Sequence, residues 1–166
     1  MTEADAKCGS GVHAAKGHSQ DLRKGRVSEP GRIYLVTATT HDRQRLFGNL
    51  FLGRMAVNAM RHHDGAGNTE TLAYVVMPDH VHWLFSLTGN RSLDKVMHSM
   101  KSYSGKQIEK TLDAGRGVVW QPGYHDHALR KEEDLIHVAR YVVANPVRAG
   151  LVAHIADYSL WDAKWI

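Results

Sequence analysis

The sequence predicts an α+β domain of the ferredoxin-like split βαβ class: an antiparallel sheet with helices on one face, the other face free, and an added C-terminal helix. Three observations predict it. The apolar periodicity changes along residues 29–166 in the order β-α-β-β-α-β-α. Pro78-Asp79 separates two strand-like runs by a tight turn, which is a hairpin signal. Apolar residues make up 43% of the 166, enough for one core and too many for a disordered chain.

Each element follows from its local chemistry. Residues 1–28 are rich in Gly, Ser, Lys, Asp and His without an apolar period, and read as a flexible N-terminal extension. Residues 32–40 (RIYLVTATT) are β-branched and aromatic, a strand. From about Arg45 to His62, Leu52, Met55, Ala56, Ala59 and Met60 recur at helical spacing, and the glycine-rich stretch 63–68 closes that helix. Residues 72–77 and 81–87 form the hairpin strands. Ser92 caps a second helix running to about Leu112, with Leu93, Val96, Met97 and Met100 on its buried stripe and Gly115 and Gly117 beyond its end. Val118–Trp120 and His125–Arg130 are short extended candidates. A third helix spans Lys131 to Asn145, with Glu132, Glu133 and Asp134 in the first turn and Pro146 as its stop. The tail from Leu151, carrying Tyr158, Trp161 and Trp165, is expected to wrap back on the core.

Composition narrows the function classes. No apolar run reaches the length that crosses a bilayer, and Met1–Lys7 has no hydrophobic stretch behind a basic one, so a membrane or secreted protein is not expected. The single Cys8 cannot form an internal disulfide, which fits a cytoplasmic location. A net charge of +4 suits a polyanionic partner, and twelve histidines direct attention to metal or acid–base chemistry.

Residues two apart in a strand share a face, so His80 and His82 lie side by side while Val81, Trp83 and Phe85 point to the core. Two neutral imidazoles at that spacing can share one divalent cation, although two surface histidines on a half-exposed strand have the same pattern. Two nitrogens hold a cation incompletely. On the last helix His137, Tyr141 and Asn145 stand at i, i+4 and i+8 and share a face, beside a docking stripe of Leu135, Val138, Ala139 and Val142. Asn145 can offer its amide oxygen to the metal and Tyr141 a hydroxyl one turn away. The same two residues also fit a helix-rim tyrosine and a C-terminal asparagine before proline.

Taken together, three separated blocks resemble a known family. Met77-Pro78-Asp79-His80-Val81-His82-Trp83-Leu84 is similar to the "MPNHVH" stretch of the single-tyrosine HUH transposases. Val119-Trp120-Gln121, then Tyr124-His125-Asp126-His127-Ala128-Leu129-Arg130, then the stretch from Tyr141 to Val152 resemble that family's C-terminal half. The Asn-Pro-Val variant at 145–147 is similar to the REP-associated tyrosine transposases. The likeness runs from about Gly31 to Asp157, in the right order. It departs in Asp79, where Asn is commoner, and in Val142, where Ile is. The resemblance implies the fold already read from the pattern. It also implies that His80 and His82 bind the metal, that Tyr141 is the nucleophile and that Asn145 completes the metal site.

On that reading the chain cleaves and rejoins single-stranded DNA through a 5′-phosphotyrosine, at hairpin or palindromic repeat elements, as a monomer or homodimer. A free phenol has a pKa of about 10 and is a weak nucleophile at neutral pH, hence the expected Mg²⁺ or Mn²⁺. Lys101, Lys106, Arg130, Lys131, Arg140 and Arg148 are candidates for DNA backbone contact, although each taken alone reads as a solvated surface charge. Trp120 and Tyr124 can stack a base or belong to the core. Two other readings stand beside this one. One is a DNA-binding protein of the same fold without cleavage; the other is a zinc hydrolase using His80, His82 and one of His125 or His127.

Overall fold

Alternation decides which way the sheet faces. In β1 (Ile33–Thr39), Tyr34, Val36 and Ala38 are buried and the residues between them are half-buried, the period of two that a strand imposes. In β3 (His80–Leu87), Val81, Trp83, Phe85 and Leu87 are the buried partners on the same face. The computed structural model describes residues 28–112, 117–130 and 135–165. Of the N-terminal extension only residue 28 is among them; its Ser28 Oγ accepts from the Leu93 N–H. The rest of that extension, Lys131, the acids at 132–134 and Gly115 lie outside the described residues.

Between β1 and β3 come α1 (Leu50–Gly65) and β2 (Thr69–Met77). After them come α2 (Leu93–Thr111), β4 (His125–Ala128), α3 (Leu135–Val143), α4 (Asn145–Arg148) and β5 (Trp161–Ala163). The strands stand in the order β4-β1-β3-β2-β5 with every neighbouring pair antiparallel. The first four have the split βαβ arrangement that the element order predicts.

One face of the sheet carries the main core. Val36, Val81, Trp83 and Phe85 pack with Leu52, Ala56 and Met60 of α1 and Val96, Met97, Met100 and Ile108 of α2. Trp83 and Phe85 have ring centroids 4.0 Å apart, and the buried indole N–H donates to Thr71 Oγ1 at 2.8 Å. Fully burying a side chain of that size stabilises by about 1.5–3 kcal/mol. Ser92 caps α2 as expected, its Oγ accepting from the Lys95 N–H.

The other face is not left free. Ala139 and Val142 of α3 are buried against Leu72, Val75, Met77 and Leu84, so the stripe that docks the helix brings it onto the face bearing His80 and His82. Three further departures have local causes. The first helix begins at Leu50 rather than near Arg45, because residues 41–43 and 46–48 form single 3₁₀ turns and Asn49 caps α1, its Oδ1 accepting from the Phe51 N–H at 2.9 Å. Pro146 does not end the helical path: it sits in the first turn of α4, where its missing N–H and fixed φ are tolerated. The C-terminal tail does wrap back, and β5 lengthens the sheet beside β2, with Tyr158 Oη donating to Val76 O at 2.7 Å. Val118–Trp120 makes only an isolated bridge between Thr40 and Trp120. Among the described residues no helix is long and apolar enough to cross a membrane.

Candidate functional site

The site starts from register. On the face away from the main core, His80 pairs with Thr39 and Met77, and His82 with Thr37 and Val75. The two imidazoles meet edge to face, 4.8 Å between centroids, with their Nε2 atoms 3.2 Å apart. Each ring is anchored through its other nitrogen. His80 Nδ1–H donates to Asp79 Oδ1 at 2.6 Å, and His82 Nδ1 shares a 2.9 Å hydrogen bond with Thr37 Oγ1. The Asp79 carboxylate only accepts, so it fixes the His80 proton on Nδ1 and leaves the Nε2 lone pair turned toward His82.

Electrostatics favour the neutral form of His82. Burial first, and then the neighbouring His80, lower the pKa of His82 to about 4. Burial is also the largest single influence on Asp79 and opposes its ionisation, but the His80 ring and the Arg43 guanidinium together outweigh it and hold the carboxyl below its usual range. Two converging Nε2 atoms, each backed by an oxygen on the opposite ring nitrogen, could serve as two ligands of a divalent cation. Among the described residues no group of three or more His, Cys, Asp or Glu converges, so any cation held by this pair would need its remaining ligands from other oxygens.

Together α3 and α4 place Tyr141 and Asn145 beside Arg148. The Arg148 guanidinium carbon lies 4.6 Å from the centre of the Tyr141 ring, and the tyrosine is about half exposed at 49%. Asn145 Nδ2 donates to Tyr141 O at 3.0 Å and to Val142 O at 2.9 Å. Those two carbonyls would accept from the N–H groups of residues 145 and 146 in an unbroken helix. Proline has none, so the Asn145 carboxamide nitrogen takes the place of the missing donor and its Oδ1 stays available. Among the described residues, no hydrogen bond or ring contact joins Tyr141 or Asn145 to either histidine; what they share is the face of the sheet on which α3 lies.

Exposure sorts the tyrosines. Tyr34 and Tyr124 are buried, while Tyr74 and Tyr158 are half-buried, their phenol pKa values raised chiefly by burial. Of the six tyrosines, only Tyr103 and Tyr141 are exposed. Tyr103 lies on α2, stacked at 6.1 Å on His62, behind the opposite face of the sheet.

The six basic candidates do not form one surface. Arg140 and Arg148 are exposed on α3 and α4, and Arg130 is exposed just after β4. Lys106 lines a groove of about 540 Å³ between α2 and residues 118–124, on the other side of the molecule. Lys101 lies in the same groove, and its Nζ donates to Gln121 O and Gly123 O at 2.6 Å, clamping that turn. Lys131 lies outside the described residues. Trp120 and Tyr124 both belong to the core: the Trp120 indole N–H donates to Ser104 Oγ at 3.0 Å, and Tyr124 Oη donates to the Asp94 carboxylate. His125 and His127 are exposed on β4, two strands from His82. Sequence reasoning undervalued Thr37, Asp79 and Arg43. Only Asp79 carried a visible signal, as an acid directly before a candidate ligand.

A family model described as "Transposase IS200 like" matches residues 32–145. A REP-associated tyrosine transposase of Escherichia coli (strain K12) is 32% identical over 90 residues, 54% of this chain and 51% of that protein; the match thus spans about half the length of that relative. A relative of Haemophilus influenzae described as a REP-associated tyrosine transposase is 24% identical over 144 residues, 77% of each chain. A solved REP-associated tyrosine transposase bound to a REP hairpin superposes with a TM-score of 0.65 at 25% identity, covering 82% of this chain and 79% of that one. A transposase structure from Deinococcus radiodurans, 20% identical with a TM-score of 0.52 over 71% of this chain and 93% of its own, shares the fold.

Proposed function

Because this chain belongs to the IS200-like transposase family, we propose that it cuts and rejoins single-stranded DNA, with Tyr141 as nucleophile and His80, His82 and Asn145 as ligands of Mg²⁺ or Mn²⁺. The observation that carries the proposal is the convergence of the two Nε2 atoms at 3.2 Å, each ring oriented from behind by Asp79 or Thr37. Their lone pairs cannot face one another without a proton or a cation between them. A low His82 pKa keeps that ring a lone-pair donor at neutral pH.

The ion, when bound, neutralises the scissile phosphate and steadies charge on the leaving oxygen. The chain supplies the rest. Tyr141 stands exposed on the helix docked across the histidine face, and Arg148 over its ring keeps a positive charge near the phenol. Attack forms the Tyr141 Oη–phosphorus bond as the phosphorus–O3′ bond breaks; the phenol proton leaves through solvent and the 3′-oxygen ends as a hydroxyl. One phosphodiester replaces another, so the reverse step reseals a strand without ATP. Asn145 holds the backbone under Tyr141 with its nitrogen, which leaves its oxygen as a candidate ligand.

The relative solved with a REP hairpin supports hairpin-flanked single strands as the substrate class. Arg140, Arg148 and Arg130, on or near the histidine side, are the preferred backbone contacts among the basic candidates. Docking of α3 on the sheet of its own chain supports a site complete within one protomer. The reading is tested by incubating the protein with labelled hairpin-flanked single strands and resolving the products on a denaturing gel. A protein–DNA adduct that needs Mg²⁺ or Mn²⁺ and is lost in His80→Ala is expected; binding without any adduct would favour a cleavage-deficient DNA-binding protein.

A further inference from the structure

The connection between β1 and α1 has two consecutive non-glycine residues in the left-handed region, Asp42 at φ 50° and Arg43 at φ 52°. Aspartate tolerates that conformation; arginine rarely adopts it, and glycine would do so with little strain. Strain of this kind persists only where the surroundings over-determine the backbone. Here they do. Thr40 N–H and Thr40 Oγ1 both donate to Asp79 O at 2.9 Å, Phe47 N–H donates to Pro78 O at 2.9 Å, and His41 N–H donates to Val119 O at 2.9 Å. The connector is therefore fastened on two sides, above all to the turn that leads into His80.

The side chain held in this way is Arg43. Its Nη1 donates to Asp79 Oδ2 at 3.3 Å, while Oδ1 of the same carboxylate holds His80. The guanidinium is 72% exposed and Asp79 only 23%, so the cation stands at the open rim of the histidine pair, tethered by one long hydrogen bond. A single exposed pair of this geometry adds little to stability and does not account for the strain. A planar, always-charged donor array at the mouth of a site for a phosphodiester suits an anionic oxygen better.

We propose that Arg43 binds a backbone phosphate of the DNA strand at this site, the strained connector presenting its guanidinium beside the carboxylate that orients His80. The inference rests on the proposed DNA-cleaving site. The Asp79 contact serves as its resting partner, and a phosphate oxygen takes over as acceptor when the strand is bound.

The test uses the full chain carrying Tyr141→Phe, so that no covalent step intervenes. The probe is a fluorescent hairpin oligonucleotide with oligothymidine flanks, titrated by anisotropy in Mg²⁺ across a range of salt. Arg43→Gly is expected to raise the melting temperature by relieving strain, yet to weaken binding about tenfold and lower the salt slope by about one. Arg43→Lys should keep most of the slope, because the charge remains. Unchanged affinity and slope in Arg43→Gly overturn the proposal. His80→Ala is the separate control: if it binds the probe and Mg²⁺ like the parent, the metal reading fails while the Arg43 contact still stands or falls on its own titration.

Discussion

His80 and His82 turn their Nε2 atoms toward one another at 3.2 Å, and each ring is held from behind by a different oxygen, Asp79 Oδ1 or Thr37 Oγ1. The pair is thus oriented by the protein before any ligand arrives. Removing an oxygen that orients a ligating imidazole lowers metal affinity by about 10- to 100-fold. Asp79→Ala should do this for Mn²⁺, measured by electron paramagnetic resonance of the free ion. Asp79→Asn keeps an acceptor for the His80 N–H, so a smaller loss is expected. Equal affinities in all three proteins would mean that Asp79 does not orient the ring.

The half-buried His82 gives a sign to the pH dependence. Its pKa of about 4 lies below the ordinary histidine value of about 6.5. The unfolded chain therefore takes up the proton first as the solution is acidified. Stability is complete above about pH 6.5 and falls as the pH drops toward 4. Melting curves in EDTA should show this loss, and His82→Asn should flatten it between those limits. A wild-type slope that survives the substitution intact would assign it to other groups.

Asn145 serves two ends of one carboxamide, and substitutions separate them. Asn145→Asp keeps an oxygen for a cation and loses the donor that covers Tyr141 O and Val142 O. It should cost about 1 kcal/mol in urea unfolding while still supporting Mn²⁺ binding. Asn145→Ala should cost a similar amount and also weaken binding of the ion. Full stability in both variants would remove the backbone role.

How much of this was legible in the sequence depends on whether a signal was periodic. The alternation of Val81, Trp83 and Phe85 against His80 and His82 revealed both strand and facing, and the helical stripes of α1, α2 and α3 revealed their docking sides. Periodicity is silent on short or strained pieces. β5 is three residues long, too few to show a pattern. Residues 42 and 43 adopt positive φ without glycine, so nothing in the composition marked the connector. Pro146 reads as a stop because the residue before a proline avoids the α region; the carboxamide that replaces its missing donor comes from the preceding side chain, which only coordinates reveal. Thr37 joined the site through a pairing 45 residues distant in the chain.

The tail carries its own prediction. Leu160 lies so close to α1 that a Cβ added at Gly53 would stand 2.3 Å from Leu160 Cδ1, and Leu160 O accepts from the Val76 N–H at 2.8 Å. Gly53→Ala must push that side chain aside and should destabilise by about 1–3 kcal/mol, as overpacking does. Pairing Gly53→Ala with Leu160→Ala should recover part of the overpacking penalty. Equilibrium unfolding of the double variant measures it, and strictly additive losses would argue against the contact.

Tyr141 is the residue proposed to make the bond to DNA. Of the six tyrosines only Tyr103 offers a comparably exposed ring, and it lies behind the other face of the sheet. The most direct measurement is mass spectrometry of the protein after reaction with a hairpin-flanked single strand in Mg²⁺, nuclease trimming and proteolysis. A nucleotide phosphate is expected on the peptide containing Tyr141, and none in Tyr141→Phe. A modified Tyr103 or Tyr124 peptide, persisting in Tyr141→Phe, would contradict it.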